Sequence, residues 1–522
     1  MKSVKLIYNE AIIKRVQYFN INFDNKAGEV ISAKSIDRIF NEAEPNPRLI
    51  IHLFLMFLGR YPASREINLV MLKLQTMNRL KSYDLFLFEF YSEIFEKNYL
   101  NVFIDIKTCD KKFIFDVTHT SQVDYNSGIQ RLVRSMMKNL VNFKNHYLLV
   151  KYQWNDFKKL NNCEEENIYN WNNKKQVEIN YNSSKIQKIK VLLKRNKVIY
   201  LTSLLAYRII KSIVGKPKKA SIENVEILYL ENCHYFLPEI NDNEKVYDLL
   251  SILSSHLNVK VSIVIYDLIG IYYPEYCAIR DFFIKYLTVL RTADNVICIS
   301  KTVADELNEF VKPFRRLRPI NITYQLLGSE IECNCIVNTT NQNDDIPFIL
   351  YVSTIEPRKN QISVLFAFKK LSLDGIKAKL VFAGKIGWYN DDFMREYQEC
   401  LKDGLLVDII QGLSDMEISS LYKNAYFSIF CSFVEGFGLP IVESIALGTP
   451  CITSNIGSMK EIADNVGGCH LVDPYSFEDI YSGMKKLLTD TNYHSKLRDE
   501  AMNSKWITWK EYSEKIWNVI NA

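Results

Sequence analysis

Two glutamates and a pair of cations are the residues of this sequence best suited to chemistry. Glu435 and Glu443 lie in EGFGLPIVE, around a glycine-rich bend that follows the apolar run FSIFCS. Glycines in such a bend let backbone N–H groups approach a ligand and point at it. The spacing places Glu435 on the loop and Glu443 in the helix that follows, so the two carboxylates can contact different parts of one long ligand.

Arg358 and Lys359, in YVSTIEPRKN, form the second charged group. The pattern predicts a strand, then a helix that starts at Pro357 and holds both cations in its first turn. A helix N-terminus carries partial positive charge, and Arg and Lys add a bidentate fork and a point charge. Taken alone, the two cations also fit a solvated surface pair. Together with the glutamate bend they indicate a sugar-nucleotide site, with the diphosphate held by the cations.

Composition limits the classes of protein to consider. The chain has 522 residues, 48% hydrophobic and 24% charged, which predicts two or three folded domains. A net charge of +5 does not require nucleic acid as a partner. The eleven cysteines form no C-x-x-C pair, which favours reduced thiols. The N-terminus does not resemble a secretion signal and no apolar run is long enough to span a bilayer, so we expect a cytoplasmic protein.

The order of predicted elements indicates the fold class. Residues 1 to about 100 read as helical, and from 111 short apolar strands alternate with amphipathic helices, which is typical of parallel sheets covered on both faces. The polar stretch NTTNQNDD predicts a hinge. The predicted domains are a helical accessory module (1–105), an N-terminal Rossmann-like acceptor domain (106–340) with a basic insertion at about 180–222, a C-terminal Rossmann-like donor domain (341–505) and a C-terminal helix (506–522) that packs back on the N-terminal lobe.

The basic insertion permits two interpretations. No acidic residue occurs between Glu178 and Glu223, and residues 182–220 carry eleven Lys or Arg among apolar residues. The segment is either a solvated helical insertion or an amphipathic surface that rests on anionic lipid, where each cation contributes about 1 kcal/mol.

The motifs resemble those of a known enzyme family. EGFGLPIVE resembles the E-x7-E signature of retaining GT-B glycosyltransferases, and YVSTIEPRKN and QGLSDMEISSLYKNA extend the likeness to glycosyltransferase family 4, over roughly residues 111–520. The resemblance implies an α/β fold with two Rossmann-like, doubly wound parallel-sheet domains facing a cleft, here joined to a helical N-terminal module. It also implies metal-independent chemistry without a cofactor, and the sequence has no Asp-x-Asp motif in a suitable place.

The resemblance assigns expected roles to individual residues. Arg358 and Lys359 would hold the donor diphosphate and Glu443 the ribose. Glu435 would hold the transferred sugar, together with the backbone of the bend. The remaining donor-binding residues are expected to be Gly128 near the phosphates, Thr354 after a Ser353 that replaces a common Gly, Gly384 and Lys385 at a strand end, Gly412 beside the base, and Gly436, Phe437, Gly438 and Leu439 in the bend.

The predicted acceptor side departs from the family pattern. Tyr266 stands where many relatives have His, and Gly270 where close relatives often have Pro. Asp267 either orients or deprotonates the acceptor, or caps a turn. Arg131 either faces the cleft or covers its helix. His119 is expected to be a loop residue and not a ligand.

The function implied is transfer of a hexose, with retained configuration, from a nucleotide donor to a lipid-linked oligosaccharide. The TIEPRKN and DVT…GIQR motifs resemble mannosyltransferases of bacterial O-antigen and capsule assembly, so GDP-mannose is the first expected donor. A UDP- or dTDP-linked hexose is the alternative. The expected acceptor is a polyprenyl-diphosphate-linked glycan at the inner face of the plasma membrane. The competing class is a non-catalytic scaffold of a polysaccharide assembly complex.

Overall fold

A computed structural model of the protein describes residues 46–58, 60–80, 104–109, 111–123, 126–153, 156–171, 225–241, 243–277, 280–314, 317–329 and 346–521. These residues form two units. The first contains the chain up to Cys109 together with Gln153–Tyr229, and the second contains Asp110–Tyr152 together with Leu230–Ala522.

Two parallel sheets organise the second unit. The first sheet has seven strands, of which six lie in this unit in the order β2-β1-β3-β4-β5-β6, while the seventh, Asp156–Lys159, is grouped with the first unit. The strands of the second sheet run in the order β9-β8-β7-β10-β11-β12. In chain order the strands are β1 (Phe113–Asp116), β2 (Tyr147–Gln153), β3 (His234–Leu237), β4 (Lys260–Ile265), β5 (Asn295–Cys298), β6 (Asn321–Tyr324), β7 (Phe348–Val352), β8 (Lys379–Ala383), β9 (Val407–Ile410), β10 (Phe427–Phe430), β11 (Cys451–Ser454) and β12 (Cys469–Val472).

Helices connect these strands. In chain order they are α1 (Thr118–Gln122), α2 (Gly128–Asn139), α3 (Lys245–His256), α4 (Ile269–Tyr272), α5 (Arg280–Tyr286), α6 (Lys301–Val311), α7 (Gln361–Leu373), α8 (Asp391–Lys402), α9 (Asp415–Asn424), α10 (Leu439–Ala446), α11 (Gly457–Asn465), α12 (Phe477–Thr489), α13 (Thr491–Asn503) and α14 (Trp509–Asn521). Short 3-10 turns lie at Val141–Phe143, Pro274–Tyr276, Leu287–Arg291 and Pro357–Lys359.

Burial explains why these segments form central strands. All four residues of β1, β10 and β11 are buried, as expected for strands with helices on both faces. The pairings among β1–β12 are parallel, for example Leu350 with both Val381 and Ser428. Parallel strands end at the same edge of a sheet, so the loops after the neighbouring strands β7 and β10 are placed to meet there.

Some strands were not predicted. The strands β3 (HYFL), β6 (NITY) and β12 (CHLV) are four residues long and contain polar residues, so their apolar pattern is weak. VEILYLE is one of the apolar runs after residue 111 that are predicted to form the parallel sheets. In the structure Val225–Tyr229 pairs in parallel with Ile104–Thr108 to form a separate two-stranded sheet in the first unit.

The first unit is therefore not only helical. Its helices are Pro47–Leu58, Ser64–Leu80 and Asn162–Tyr169, and strand Asp156–Lys159 accompanies the two-stranded sheet. Tyr61 connects strand Asp156–Lys159 to the two-stranded sheet, because its N–H donates to Asp156 Oδ1 at 3.1 Å and its hydroxyl donates to the Leu228 carbonyl at 3.0 Å. This grouping of 153–229 with the N-terminal residues differs from the predicted domain boundaries. The predicted basic insertion (180–222) and the hinge at 338–345 lie outside the described residues.

The segment after β6 lies beside the segment that leads into α14. Trp506 Nε1 donates to the Leu327 carbonyl at 2.7 Å, and Ser329 N donates to the Ile507 carbonyl at 3.0 Å. The helix α14 then packs on the first sheet, where the Trp517 ring lies 4.9 Å from the Phe113 ring. None of the helices in the described ranges has both the length and the apolar character needed to cross a membrane.

A buried histidine predicts how stability depends on pH. His234 in β3 is 7% exposed, and its Nε2 lies 2.7 Å from Ser262 Oγ. Burial, with the nearby charge of Lys260, lowers the pKa of His234 from 6.5 to about 4. The unfolded chain therefore takes up this proton at a higher pH than the folded chain. We expect the free energy of unfolding to fall by roughly 3 kcal/mol through His234 as the pH drops through this interval.

Urea unfolding across this pH range measures the effect. His234→Gln removes the titrating group. The slope of the unfolding free energy against pH should therefore decrease by the equivalent of about one bound proton. His146→Gln, at an exposed position, is the control and should keep the slope of the original chain. An unchanged slope in His234→Gln would contradict the assignment.

Candidate active site

Arg358, Lys359 and Glu435 form one buried charged cluster. Lys359 Nζ donates to Glu435 Oε1, and Arg358 Nη1 lies 2.5 Å from Glu435 Oε2. Arg358 Nη1 also donates to the Val434 carbonyl at 2.8 Å. None of the three charged side chains is more than 15% exposed. The two groups that the sequence separates by more than seventy residues are therefore in direct contact.

The local backbone places both cations in a 3-10 turn, Pro357–Lys359, and not in the first turn of a helix as predicted. Asn360 adopts a left-handed conformation with φ of 58°, which interrupts the helical path, and α7 begins only at Gln361. The turn is fixed by its carbonyls: Phe433 N donates to the Arg358 carbonyl at 2.9 Å, and the Tyr351 hydroxyl donates to the Lys359 carbonyl.

Mutual contact sets the charge state of the cluster. Burial opposes ionisation of Glu435, but Arg358 and Lys359 outweigh it and lower the pKa of Glu435 to about 2. Burial and the adjacent Arg358 lower the pKa of Lys359. Glu356 also pairs with Arg358 at 2.8 Å, so two carboxylates face the two cations. Arg and Lys side chains of this kind can also form charge-assisted hydrogen bonds with a diphosphate.

The glycine bend is anchored on both sides. An added Cβ on Gly436 would stand 1.9 Å from the Tyr266 carbonyl oxygen, so only glycine permits this approach of the bend to the loop after β4. Ser300 Oγ donates to the Gly436 carbonyl at 2.8 Å. Ser458 Oγ lies 2.7 Å from the carbonyl oxygens of both Glu435 and Phe437. The bend is thus held against both sheets, and Gly438, with φ of 151°, leads into α10.

Glu443 lies on α10 and is buried. Arg131 Nη1 donates to Glu443 Oε1, and Arg131 Nη2 donates to Asp415 Oδ1 at 3.1 Å. The structure therefore resolves the open question about Arg131: its guanidinium reaches from α2 to the second glutamate. At the start of the same helix, a Cβ on Gly128 would meet Leu439 Cδ1 at 3.8 Å, so Gly128 and Leu439 are neighbours.

Asp267 belongs to the electrostatic field of the cluster and also caps a turn. Its Oδ1 accepts from Ile269 N at 3.0 Å. Burial raises the pKa of Asp267, with Arg358 opposing this effect and Glu435 adding to it. The neighbouring Tyr266 points elsewhere, because its buried hydroxyl donates to the Pro238 carbonyl at 2.5 Å. Of the two side chains, that of Asp267 is therefore the one that interacts with the charged cluster.

Two other departures from the family pattern have structural explanations. A Cβ on Gly270 would stand 2.7 Å from the Phe283 ring, so the larger Pro of relatives does not fit here. His119 lies in the short helix α1 and not in a loop as predicted, and its Nδ1 is 2.9 Å from Gln130 Nε2.

The remaining predicted donor-binding residues fall in two places. Gly384, with φ of 159°, packs against the Ser353 backbone so closely that a Cβ would lie 1.9 Å from its carbonyl oxygen. Ile355 N donates to the Lys385 carbonyl at 2.8 Å, and Thr354 is exposed in the same pair of loops. Gly412 follows β9, two strands away from β7, and an added Cβ would meet nothing within 4 Å.

Several supporting residues were missed at the sequence level. Asp415, Ser300 and Ser458 contact Arg131 or the bend, and Glu356 accepts from Arg358 Nη2 at 2.8 Å. Asp415 stands in the QGLSDMEISSLYKNA motif, so that segment could have indicated it. The serines carry no local signal, because their partners are backbone carbonyls far away in the sequence.

Within the described ranges, no group of three or more His, Cys, Asp or Glu could hold a metal ion. Metal independence stays a prediction.

Comparisons with known proteins show which proteins the chain is similar to. The family described as Glycosyl transferases group 1 matches residues 336–504. The serotype-specific mannosyltransferase WbdA of Escherichia coli is 28% identical over 268 residues, 48% of this chain and 32% of WbdA. The O-antigen chain mannosyltransferase RfbU of Salmonella typhimurium is 26% identical over 43% of this chain and 60% of its own length. This chain thus spans only part of the curated relatives it matches.

Solved structures show the same fold. Anabaena HepE, in complex with UDP and glucose, has a TM-score of 0.50 at 14% identity and covers 79% of this chain and 100% of its own. Sucrose-phosphate synthase from Thermosynechococcus elongatus has a TM-score of 0.52 at 14% identity, covering 79% and 98%. The predicted α/β GT-B fold is confirmed. Residues 336–504 match the group 1 glycosyltransferase family, and the chain is similar in sequence to O-antigen mannosyltransferases.

Proposed function

We propose that the protein is a retaining hexosyltransferase that moves mannose from GDP-mannose to a lipid-linked oligosaccharide during surface-polysaccharide synthesis. The observation that carries this proposal is the buried contact of Glu435 with Arg358 and Lys359 beside the glycine bend. The two cations fit the diphosphate of a nucleotide sugar, and the carboxylate together with the backbone of the bend fits its sugar.

The cations act on the leaving group. Cleavage of the anomeric bond develops negative charge on the departing nucleoside diphosphate and positive charge on the sugar. Arg358 and Lys359 are already fixed and partly desolvated, so they stabilise this negative charge with little reorganisation.

The acids act on the sugars. Glu435 stays ionised because its pKa is about 2, and it accepts hydroxyl hydrogen bonds and stabilises the oxocarbenium-like sugar. Glu443 binds the ribose hydroxyls after exchanging its contact with Arg131 for the donor. Asp267, from the first sheet, orients the acceptor hydroxyl and receives its proton.

Mannose and a lipid-linked acceptor are the finer parts of the proposal. The O-antigen mannosyltransferases similar to this chain support them, together with the TIEPRKN and GIQR motifs. An anionic membrane surface is the proposed location of the acceptor, in the cytoplasm. The basic segment proposed to contact it lies outside the described residues.

A donor-hydrolysis assay tests the function. The purified chain is incubated in turn with GDP-mannose, UDP-glucose and dTDP-glucose, and release of nucleoside diphosphate is measured. We expect GDP-mannose to be hydrolysed fastest, and NMR of a transferred product to show the anomeric configuration of the donor. Faster hydrolysis of UDP- or dTDP-sugar identifies the alternative donor. No hydrolysis of any of the three contradicts the enzyme assignment and favours the scaffold.

A further inference from the structure

Three aromatic rings form a stacked strip beside the charged cluster. The rings of Tyr276 and Phe433 are nearly parallel, at 7°, with centroids 5.9 Å apart. The rings of Phe433 and Tyr475 are 5.0 Å apart at 28°. We call Tyr276, Phe433 and Tyr475 the aromatic strip. The side chain at its outer end, Tyr475, is 66% exposed.

Both halves of the second unit contribute to the strip. Tyr276 ends the 3-10 turn after α4, Phe433 follows β10, and Tyr475 follows β12. Phe433 N donates to the Arg358 carbonyl at 2.9 Å, so the middle ring is attached to the cation turn. The strip therefore runs outward from the place where the donor diphosphate is proposed to lie.

The exposure of Tyr475 indicates a binding role. Its backbone N–H donates to Asp473 Oδ1 at 2.9 Å, which fixes the turn that carries the ring. Single exposed aromatic side chains are common on protein surfaces. A series of stacked rings that is attached to the backbone and lies next to a charged site is, in contrast, typical of a ligand-binding surface.

Two carboxylates accompany the strip. Glu275 is exposed in the same 3-10 turn as Tyr276. Asp473 lies at the other end, where its Oδ1 accepts from Tyr475 N. Carboxylates accept hydrogen bonds from sugar hydroxyls and repel anionic lipid headgroups.

We propose that the aromatic strip is the acceptor subsite and binds a pyranose ring of the growing glycan, with the C–H face of the sugar on the exposed face of Tyr475. A pyranose has an apolar face and a rim of hydroxyls, which match an aromatic ring beside carboxylates. The proposal rests on the proposed function for the identity of the reaction. It adds where the acceptor binds and which side chains recognise it.

Saturation-transfer NMR with trisaccharides tests the subsite without any donor. The probes are mannotriose, maltotriose and chitotriose, each titrated into the full chain. We expect transfer to the ring C–H protons of at least one of them. Tyr475→Ala should weaken the affinity by about tenfold, the loss expected for one stacking contact. Tyr475→Phe keeps the ring and should bind within about twofold of the original chain.

Controls separate the possible failures. Phe366→Ala removes another exposed ring, on α7, and should leave trisaccharide binding and donor hydrolysis unchanged. Equal affinity in Tyr475→Ala and the original chain, or no binding of any trisaccharide, overturns the subsite. If farnesyl diphosphate binds instead and its affinity depends on Tyr475, the strip is a lipid site and the proposal is wrong. Because sugar binding is measured without donor, a failure of donor hydrolysis remains a separate result.

Discussion

Replacement of Lys359 by alanine is expected to lower turnover by about a hundredfold or more while the chain stays folded. The ammonium group is buried against Glu435 and adjoins Arg358, at the position where the proposed reaction develops negative charge on the leaving diphosphate. Removing one such preorganised contact raises the barrier without changing the bulk of the binding surface. Glu435 keeps Arg358 as a partner, so the buried carboxylate does not become isolated.

The measurement is nucleoside diphosphate release under saturating donor, with circular dichroism and thermal unfolding as the tests of folding. Lys369→Ala is the matched control. This lysine lies on α7 and pairs with Glu396 and Asp403 at the surface, so its loss makes the same change in charge. Lys369→Ala should retain its turnover. If Lys359→Ala folds and turns over at a near-normal rate, the cation has no role in the reaction.

Gly436→Ala is expected to reduce turnover by a comparable factor, for a steric reason. The new methyl carbon would lie 1.9 Å from the Tyr266 carbonyl oxygen and 3.0 Å from Asp267 Cβ. The backbone oxygen cannot give way as a flexible side chain would, so the bend must retreat and carry Glu435 with it. A displacement of about 1 Å at a reacting group costs on the order of a hundredfold in rate.

Gly404→Ala is the control for this change. Gly404 has φ of 73° and an added Cβ would meet nothing within 4 Å. Its substitution should cost about 1 kcal/mol of stability through backbone strain and leave turnover intact. Steady-state rates and thermal unfolding of the two variants separate the effects. A Gly436→Ala enzyme with full activity would show that the bend does not need to approach the first sheet so closely.

Local patterns predicted the sheets better than they predicted the contacts between loops. Buried strands such as β1 and β10 can be recognised in the sequence, because a short apolar run between two amphipathic helices usually forms a buried strand. The contacts that charged and polar residues make across the site are harder to predict from the sequence. Arg358 and Glu435 were linked through a motif and a family likeness, whereas Ser300 and Ser458 are not identifiable from any local pattern.

The errors have physical causes as well. The helix expected from Pro357 begins four residues later, at Gln361, because Asn360 adopts a left-handed conformation. Asparagine tolerates this conformation, but the presence of an Asn in a sequence does not predict it. The strand in VEILYLE was identified, but its partner, Ile104–Thr108, lies more than a hundred residues earlier. Strand pairing over such a distance depends on tertiary packing, which short-range periodicity does not report.

Hydrogen bonds of Trp506 and Ser329 join the segment after β6 to the segment that leads into α14. Gly328 permits this contact, since a Cβ there would stand 2.7 Å from the Trp509 backbone. Because α14 then packs on the first sheet, where Trp517 lies 4.9 Å from Phe113, we expect it to stay with that sheet in any movement of the two sheets relative to one another.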